Sequence, residues 1–86
     1  MITKEVVVRC ESGLHNKQAS YFVQKANEFD SRILIEYGTM NINAKSLLGV
    51  MSMRLVTGAS AVLHAEGSDA EAALEALEVL LQRDLV

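Results

Sequence analysis

Two one-sided apolar stripes constrain this chain more than any other feature. Ala19, Phe22, Val23, Ala26 and Phe29 recur at three- and four-residue spacing, and so do Ala70, Ala73, Leu74, Leu77, Leu80 and Leu81. That spacing gives an α-helix one apolar face, which another element must cover. The first helix reads from about Asn16 to Glu28. The remaining runs alternate: Ile2 to Val8, Arg32 to Tyr37, Met40 to Asn43 and Ser60 to Glu66. Period two describes strands with one inward face. A short apolar segment, Leu47 to Met53, adds a third helix. The order is β-α-β-β-α-β-α. Its simplest burial is an α/β (α+β) open-faced β-sandwich, a four-stranded antiparallel sheet with three helices packed on one face.

Length and charge narrow the class. Eighty-six residues make a single domain, 1–86, with a modest core. Phe and Tyr are the only aromatics and Trp is absent, so that core is aliphatic. A net charge of −3 with no cluster of Lys and Arg argues against nucleic acid. No apolar run approaches the roughly 18 residues that span a membrane, and the first residues lack the apolar core of a signal peptide. Cys10 has no second cysteine to bond with, which fits a reducing compartment. A cytoplasmic protein is expected.

Each element carries its own expectation. Ile2, Val6 and Val8 share the inward face of the first strand, with Cys10 in step as a small, partly buried hydrophobe; a reactive thiol is the alternative. Ile33, Ile35 and Tyr37 are in phase, and Gly38-Thr39 turns a hairpin. Ser46 stands where a helix N-cap belongs. Leu47, Leu48 and Met51 read either as core or as an exposed partner surface. Ala61, Leu63 and Ala65 point inward, leaving His64 solvated. Two isolated histidines make a poor metal site, so no metal is expected. Ser68 and Glu71 form a capping box for the last helix.

The chemistry concentrates between the first strand and the first helix, at Glu11 to Ser20. Gly13 suits a tight turn. The backbone N–H groups of Asn16, Lys17 and Gln18 fall in the first helical turn, where they lack intrahelical partners and favour an anion. Lys17 is mildly unfavourable there for the helix alone, and makes sense if an anion meets it. With His15 as nucleophile, the set describes a place to hold a phosphoryl group on histidine. An ordinary loop histidine beside a solvated lysine is the other reading of these residues.

Gly13-Leu14-His15 opening a helix, Asn43-Ala44-Lys45-Ser46 before a short apolar helix, Gly49-Val50-Met51-Ser52 and Glu66-Gly67 together resemble HPr. HPr is the histidine-containing phosphocarrier of the bacterial sugar phosphotransferase system. The resemblance implies that His15 accepts phosphate on Nδ1 from enzyme I and passes it to IIA-type domains of sugar permeases. It implies a carrier acting as the substrate of other enzymes, not an enzyme, with no cofactor. Ser46 matches the serine that an HPr kinase phosphorylates in many Gram-positive relatives, in carbon catabolite regulation. Leu47, Leu48 and Met51, with Ser20 and Arg54 beside them, match the surface that meets enzyme I and a transcriptional regulator. A monomer is expected.

The departures from the family pattern are informative. The usual motif reads Gly-[Leu/Ile]-His-Ala/Thr-Arg-Pro-Ala, and here it reads Gly13-Leu14-His15-Asn16-Lys17-Gln18-Ala19. Lys17 keeps the charge of the arginine without its bidentate fork. Gln18 replaces a proline that presets the helix start, and the Asn16 side chain competes for the same N–H groups. Arg54 stands where relatives carry a small residue. Two functions are therefore weighed, a slow or specialised phosphocarrier and a regulatory binding module switched at Ser46. A small structural or ligand-binding domain without phosphate chemistry is the third.

Overall fold

Seven elements succeed one another in the expected order: β1 (Ile2–Val7), α1 (Asn16–Asn27), β2 (Arg32–Tyr37), β3 (Met40–Asn43), α2 (Leu47–Ser52), β4 (Ser60–Glu66) and α3 (Ala70–Leu81). The computed structural model describes residues 1–10, 13–14 and 16–83, with Asn16 by its backbone alone. The four strands form one sheet in the order β1-β4-β2-β3, every neighbouring pair antiparallel. Three helices complete an open-faced α+β fold.

Register explains the core. Val6 stands opposite Ala61, Ile33 opposite Ala65 and Ile35 opposite Leu63, so these six side chains share one face. All six are buried, and Ala19, Phe22, Ala26, Val50, Ala73, Leu74, Leu77 and Leu81 bury onto them from the helices. Burying one leucine such as Leu77 contributes on the order of 2 kcal/mol. Small alanines on β4, α1 and α3 let the helices approach the sheet closely.

Phase alone mistakes the strand ends. Ile2 and Tyr37 are on the inward face by register, yet 40% and 37% exposed. Ile2 lines an open groove with Thr3, Lys4, Glu71, Leu74 and Glu75, between β1 and α3. There the helix stands off from the sheet margin. α1 also stops one residue early: Glu28 and Phe29 donate their N–H groups to Lys25 and Ala26, three residues back, which tightens the last turn.

The capping box at Ser68 and Glu71 does not form. Asp69 occupies the N-cap of α3, and its side chain makes no bond to its own helix. Its carboxylate accepts the N–H of Asp30 at 2.8 Å, the N–H of Ser31 at 2.9 Å, and the Ser31 hydroxyl. The Ser31 hydroxyl, then the Asp30 N–H, hold this carboxyl below the usual aspartate range. Gly67 makes the approach possible. It has φ 148°, and a Cβ there would lie 2.5 Å from Ser31 Oγ and 2.7 Å from Ser31 Cα. Tertiary donors have taken the carboxylate from the helix.

His64 corrects a second expectation. It points away from the helices, as alternation requires, but is not simply solvated. Its Nε2 lies 2.8 Å from Glu36 Oε1 and its Nδ1 3.2 Å from Thr3 Oγ1. With the proton on Nε2, a neutral ring donates to the carboxylate and accepts from the hydroxyl. The histidine thus ties three strands across the open face of the sheet.

Candidate functional site

The segment before α1 is built from backbone contacts. Gly13 has φ 74°, and a Cβ there would lie 2.5 Å from the Leu55 carbonyl oxygen. Only glycine fits that approach without a shift of the chain. Leu14 then donates its N–H to the same Leu55 oxygen at 2.8 Å, an isolated bridge that leaves the Leu14 side chain fully buried. Cys10 is fully buried too, deeper than its sequence position implies. Its thiol lies 3.4 Å from the Gly13 oxygen, and its own oxygen accepts from Gly13 N–H and the Thr57 hydroxyl. Full burial shuts the thiol off from reagents in solution, which counts against the reactive-thiol alternative.

His15, together with Glu11 and Ser12, lies outside the described residues. α1 begins one position later, at Asn16. Lys17 is exposed, and no acidic residue stands in the first turn to neutralise it. Gln18 has a role that sequence reasoning missed. Its side chain is only 5% exposed, and its amide donates to the oxygens of Leu80 at 2.7 Å and Arg83 at 3.2 Å. The Leu80 carbonyl lies in the last turn of α3, where helical partners run out, and Arg83 lies just past the Gln82 C-cap. The same helix end holds the loop before the site, since Arg9 and Cys10 donate to the Leu81 oxygen at 2.7 and 3.0 Å. Only a glutamine in the first turn facing an unrelated helix end signals such a bond, and sequence spacing carries no such signal.

α2 supplies the second candidate cluster. Ser46 is its N-cap as expected, φ −103° and ψ 113°, with Oγ accepting the Gly49 N–H at 3.2 Å. Asn43 Oδ1 accepts the Lys45 N–H at 2.9 Å and turns the chain into that cap. The Lys45 ammonium donates to the Phe29 oxygen at 2.7 Å, so it is tied to the end of α1. The three apolar candidates divide. Leu48 is 85% exposed and Leu47 41%, whereas Met51 is half-buried and packs against the core. Val56 is exposed as well, a residue the sequence did not single out, because it alternates with buried Leu55.

Ser20 is half-buried on α1, and Arg54 is exposed just past α2. Arg54 is, among the described residues, the one non-glycine with positive φ, at 52°. Any residue with a Cβ costs about 1 kcal/mol in backbone strain there, and glycine alone avoids it. Among the described residues no helix is long and apolar enough to cross a membrane.

A four-stranded open-faced α+β sheet with a helix that starts one residue after a histidine fits a class of small phosphocarrier proteins, and comparison with known proteins agrees. The family model described as PTS HPr component phosphorylation site matches residues 2–83. The HPr-like protein Crh of Bacillus subtilis is 39% identical over 85 residues, 99% of this chain and all of the relative. The phosphocarrier protein HPr of Treponema pallidum is 43% identical over 82 residues, 95% of this chain and 93% of the relative. Among solved structures, HPr of Bacillus anthracis superposes with a TM-score of 0.92 at 44% identity, covering 94% of this chain and 96% of that one. The chain belongs to the HPr family of phosphocarrier proteins. Both branches, HPr and Crh, stand among its relatives, and one crystal structure of Bacillus subtilis Crh, a swapped dimer, matches at TM-score 0.75 and 40% identity, with 95% and 94% coverage.

Proposed function

We propose that this protein is a working phosphocarrier that takes a phosphoryl group on His15 from enzyme I and passes it to an IIA-type acceptor domain. The observation that carries the reading is an exposed Lys17, with no acidic residue beside it in the first turn of a helix that begins one residue after His15. In the transfer, the lone pair of a neutral imidazole nitrogen attacks phosphorus. The bond from phosphorus to the donor breaks, and its electron pair stays with the donor. The N–H groups of Asn16, Lys17 and Gln18 at the helix start, with the Lys17 ammonium, stabilise the phosphoryl oxygens. Leu47, Leu48, Ser20 and Arg54, with the exposed edge of Met51, meet the partner proteins. The acting species is a cytoplasmic monomer in sugar transport.

A regulatory role is the second reading, favoured by the Ser46 cap. A phosphate on Ser46 would retain an acceptor for the Gly49 N–H while adding negative charge at a helix start, which favours α2. It would also place that charge beside Leu47 and Leu48. An HPr kinase and a transcriptional regulator are then the partners. Phosphoenolpyruvate and Bacillus subtilis enzyme I, read by intact mass and phosphorus NMR, separate the two. One acid-labile phosphate that disappears in His15→Ala supports the carrier. No transfer, while authentic HPr is labelled in the same tube, rejects it, and Ser46 with kinase and ATP becomes the next target.

A further inference from the structure

We infer that Gln18 is a positioning residue for phosphotransfer, acting by clamping the first turn of α1 onto the C-terminal end of α3. The inference rests on the carrier reading of His15 and adds to it a device that the reading did not contain. Three attachments meet at one helix end. Arg9 and Cys10 donate to the Leu81 oxygen, and the Gln18 amide donates to the oxygens of Leu80 and Arg83. In sequence, two of these attachments precede His15 and one comes after it. The chain that carries the acceptor histidine is therefore pinned on both sides to the same C-terminal end of α3.

The amide does what no neighbouring residue type would do there. Gln18 is nine-tenths buried, so its two bonds form away from water, where they hold geometry firmly. The Leu80 carbonyl, in the last turn of α3, is an acceptor without a helical partner, and a primary amide with two hydrogens can serve it and the Arg83 carbonyl just past the helix at once. A proline would fix the φ of its own residue but could not reach across to α3. The restraint here is tertiary, and it comes from a side chain. The first turn must be held because its N–H groups stabilise the phosphoryl oxygens only from fixed positions.

Gln18→Met keeps length and apolar bulk and removes both donors. Under steady-state transfer from enzyme I, kcat for this chain should fall about tenfold, the scale of a misplaced transition-state contact. KM should stay within about twofold, since the partner surface on α2 is untouched. A kcat within about twofold of the parent, in a variant whose circular dichroism shows it folded, overturns the inference. Should the variant not fold, the parent protein still decides. Side-chain amide protons of Gln18 in nitrogen-15-labelled protein should exchange slowly and share the protection of α3. Exchange at the rate of a free amide overturns the clamp. If the parent itself takes no phosphate on His15, the carrier reading fails, while the exchange measurement still tests the clamp.

Discussion

Two helix starts in this protein, Ser46 before α2 and Asp69 before α3, look alike in sequence and behave oppositely. Ser46 turns its hydroxyl onto the Gly49 N–H of its own helix. Asp69 turns its carboxylate away from α3, onto Asp30 and Ser31 at the entry to β2. α2 is six residues long and contains a glycine, so it needs its cap. α3 has twelve residues and five buried apolar side chains to hold it against the sheet, and can release its capping group. A short helix is held by local bonds and a long one by packing.

The largest effect should come from closing the space that Asp69 and Ser31 need. Gly67→Ala would drive a methyl into Ser31 at a φ that alanine avoids, costing on the order of 3 kcal/mol. Thermal unfolding should show it as a drop of more than about 10 °C. A loss under about 1 kcal/mol would mean that the two loops part easily, and that the contact is incidental.

Asp69→Ala should be the next most damaging, and it has a pH signature. The folded carboxyl has a depressed pKa, so its contribution is present above the ordinary aspartate value and lost as pH falls through the folded one. Melting curves of parent and variant should differ at neutral pH and converge in acid. A gap that persists in acid would assign the stability to packing rather than to the carboxylate.

Ser46→Ala should cost about 1 kcal/mol, the usual value of an N-cap. Amide exchange should rise at Gly49 and leave α3 unchanged. At the other end of α2, Arg54→Gly should stabilise by roughly 0.5 kcal/mol, relieving the positive φ but freeing the unfolded chain. Smallest of all, Ser68→Ala with Glu71→Ala should stay within about 0.5 kcal/mol of the parent. A cost near that of Ser46→Ala would restore the capping box that the Asp69 geometry excludes.

The contrast also marks what the sequence could disclose. Element order, the hairpin at Gly38-Thr39 and the Ser46 cap are legible because each depends on neighbours within a few positions. So is the core of the strands and the two long helices, although Ile2 and Tyr37, in phase, are exposed at the sheet margin, and Leu14 and Leu55, fully buried in loops, carry no periodic signal. Ser68 and Glu71 match a local pattern, but the donors of Asp30 and Ser31 stand 39 and 38 positions from Asp69. Sequence gives Gln18 a part through its N–H, whereas its side chain reaches 62 positions away to Leu80. His64 escapes for the same reason, paired across strands to Thr3 and Glu36. Polar side chains choose partners by proximity in space, and residue spacing does not encode that.

The strand order has a consequence for the protein in a crowded solution. An open sheet of β1-β4-β2-β3 leaves two outer strands whose backbone groups are available to another chain. β3 is only four residues long and carries Asn41 and Asn43. β1 carries Lys4, held to Glu78 of α3 at 2.8 Å, and its ammonium pKa is raised by that hydrogen bond and by the carboxylate's charge. Lysine on one border and brevity on the other are two of the devices by which open sheets resist stacking into fibrils. The ion pair contributes little to folding, because the lysine side chain keeps more than a third of its surface in solvent. Its service is to keep a charge on the border where aggregation would begin.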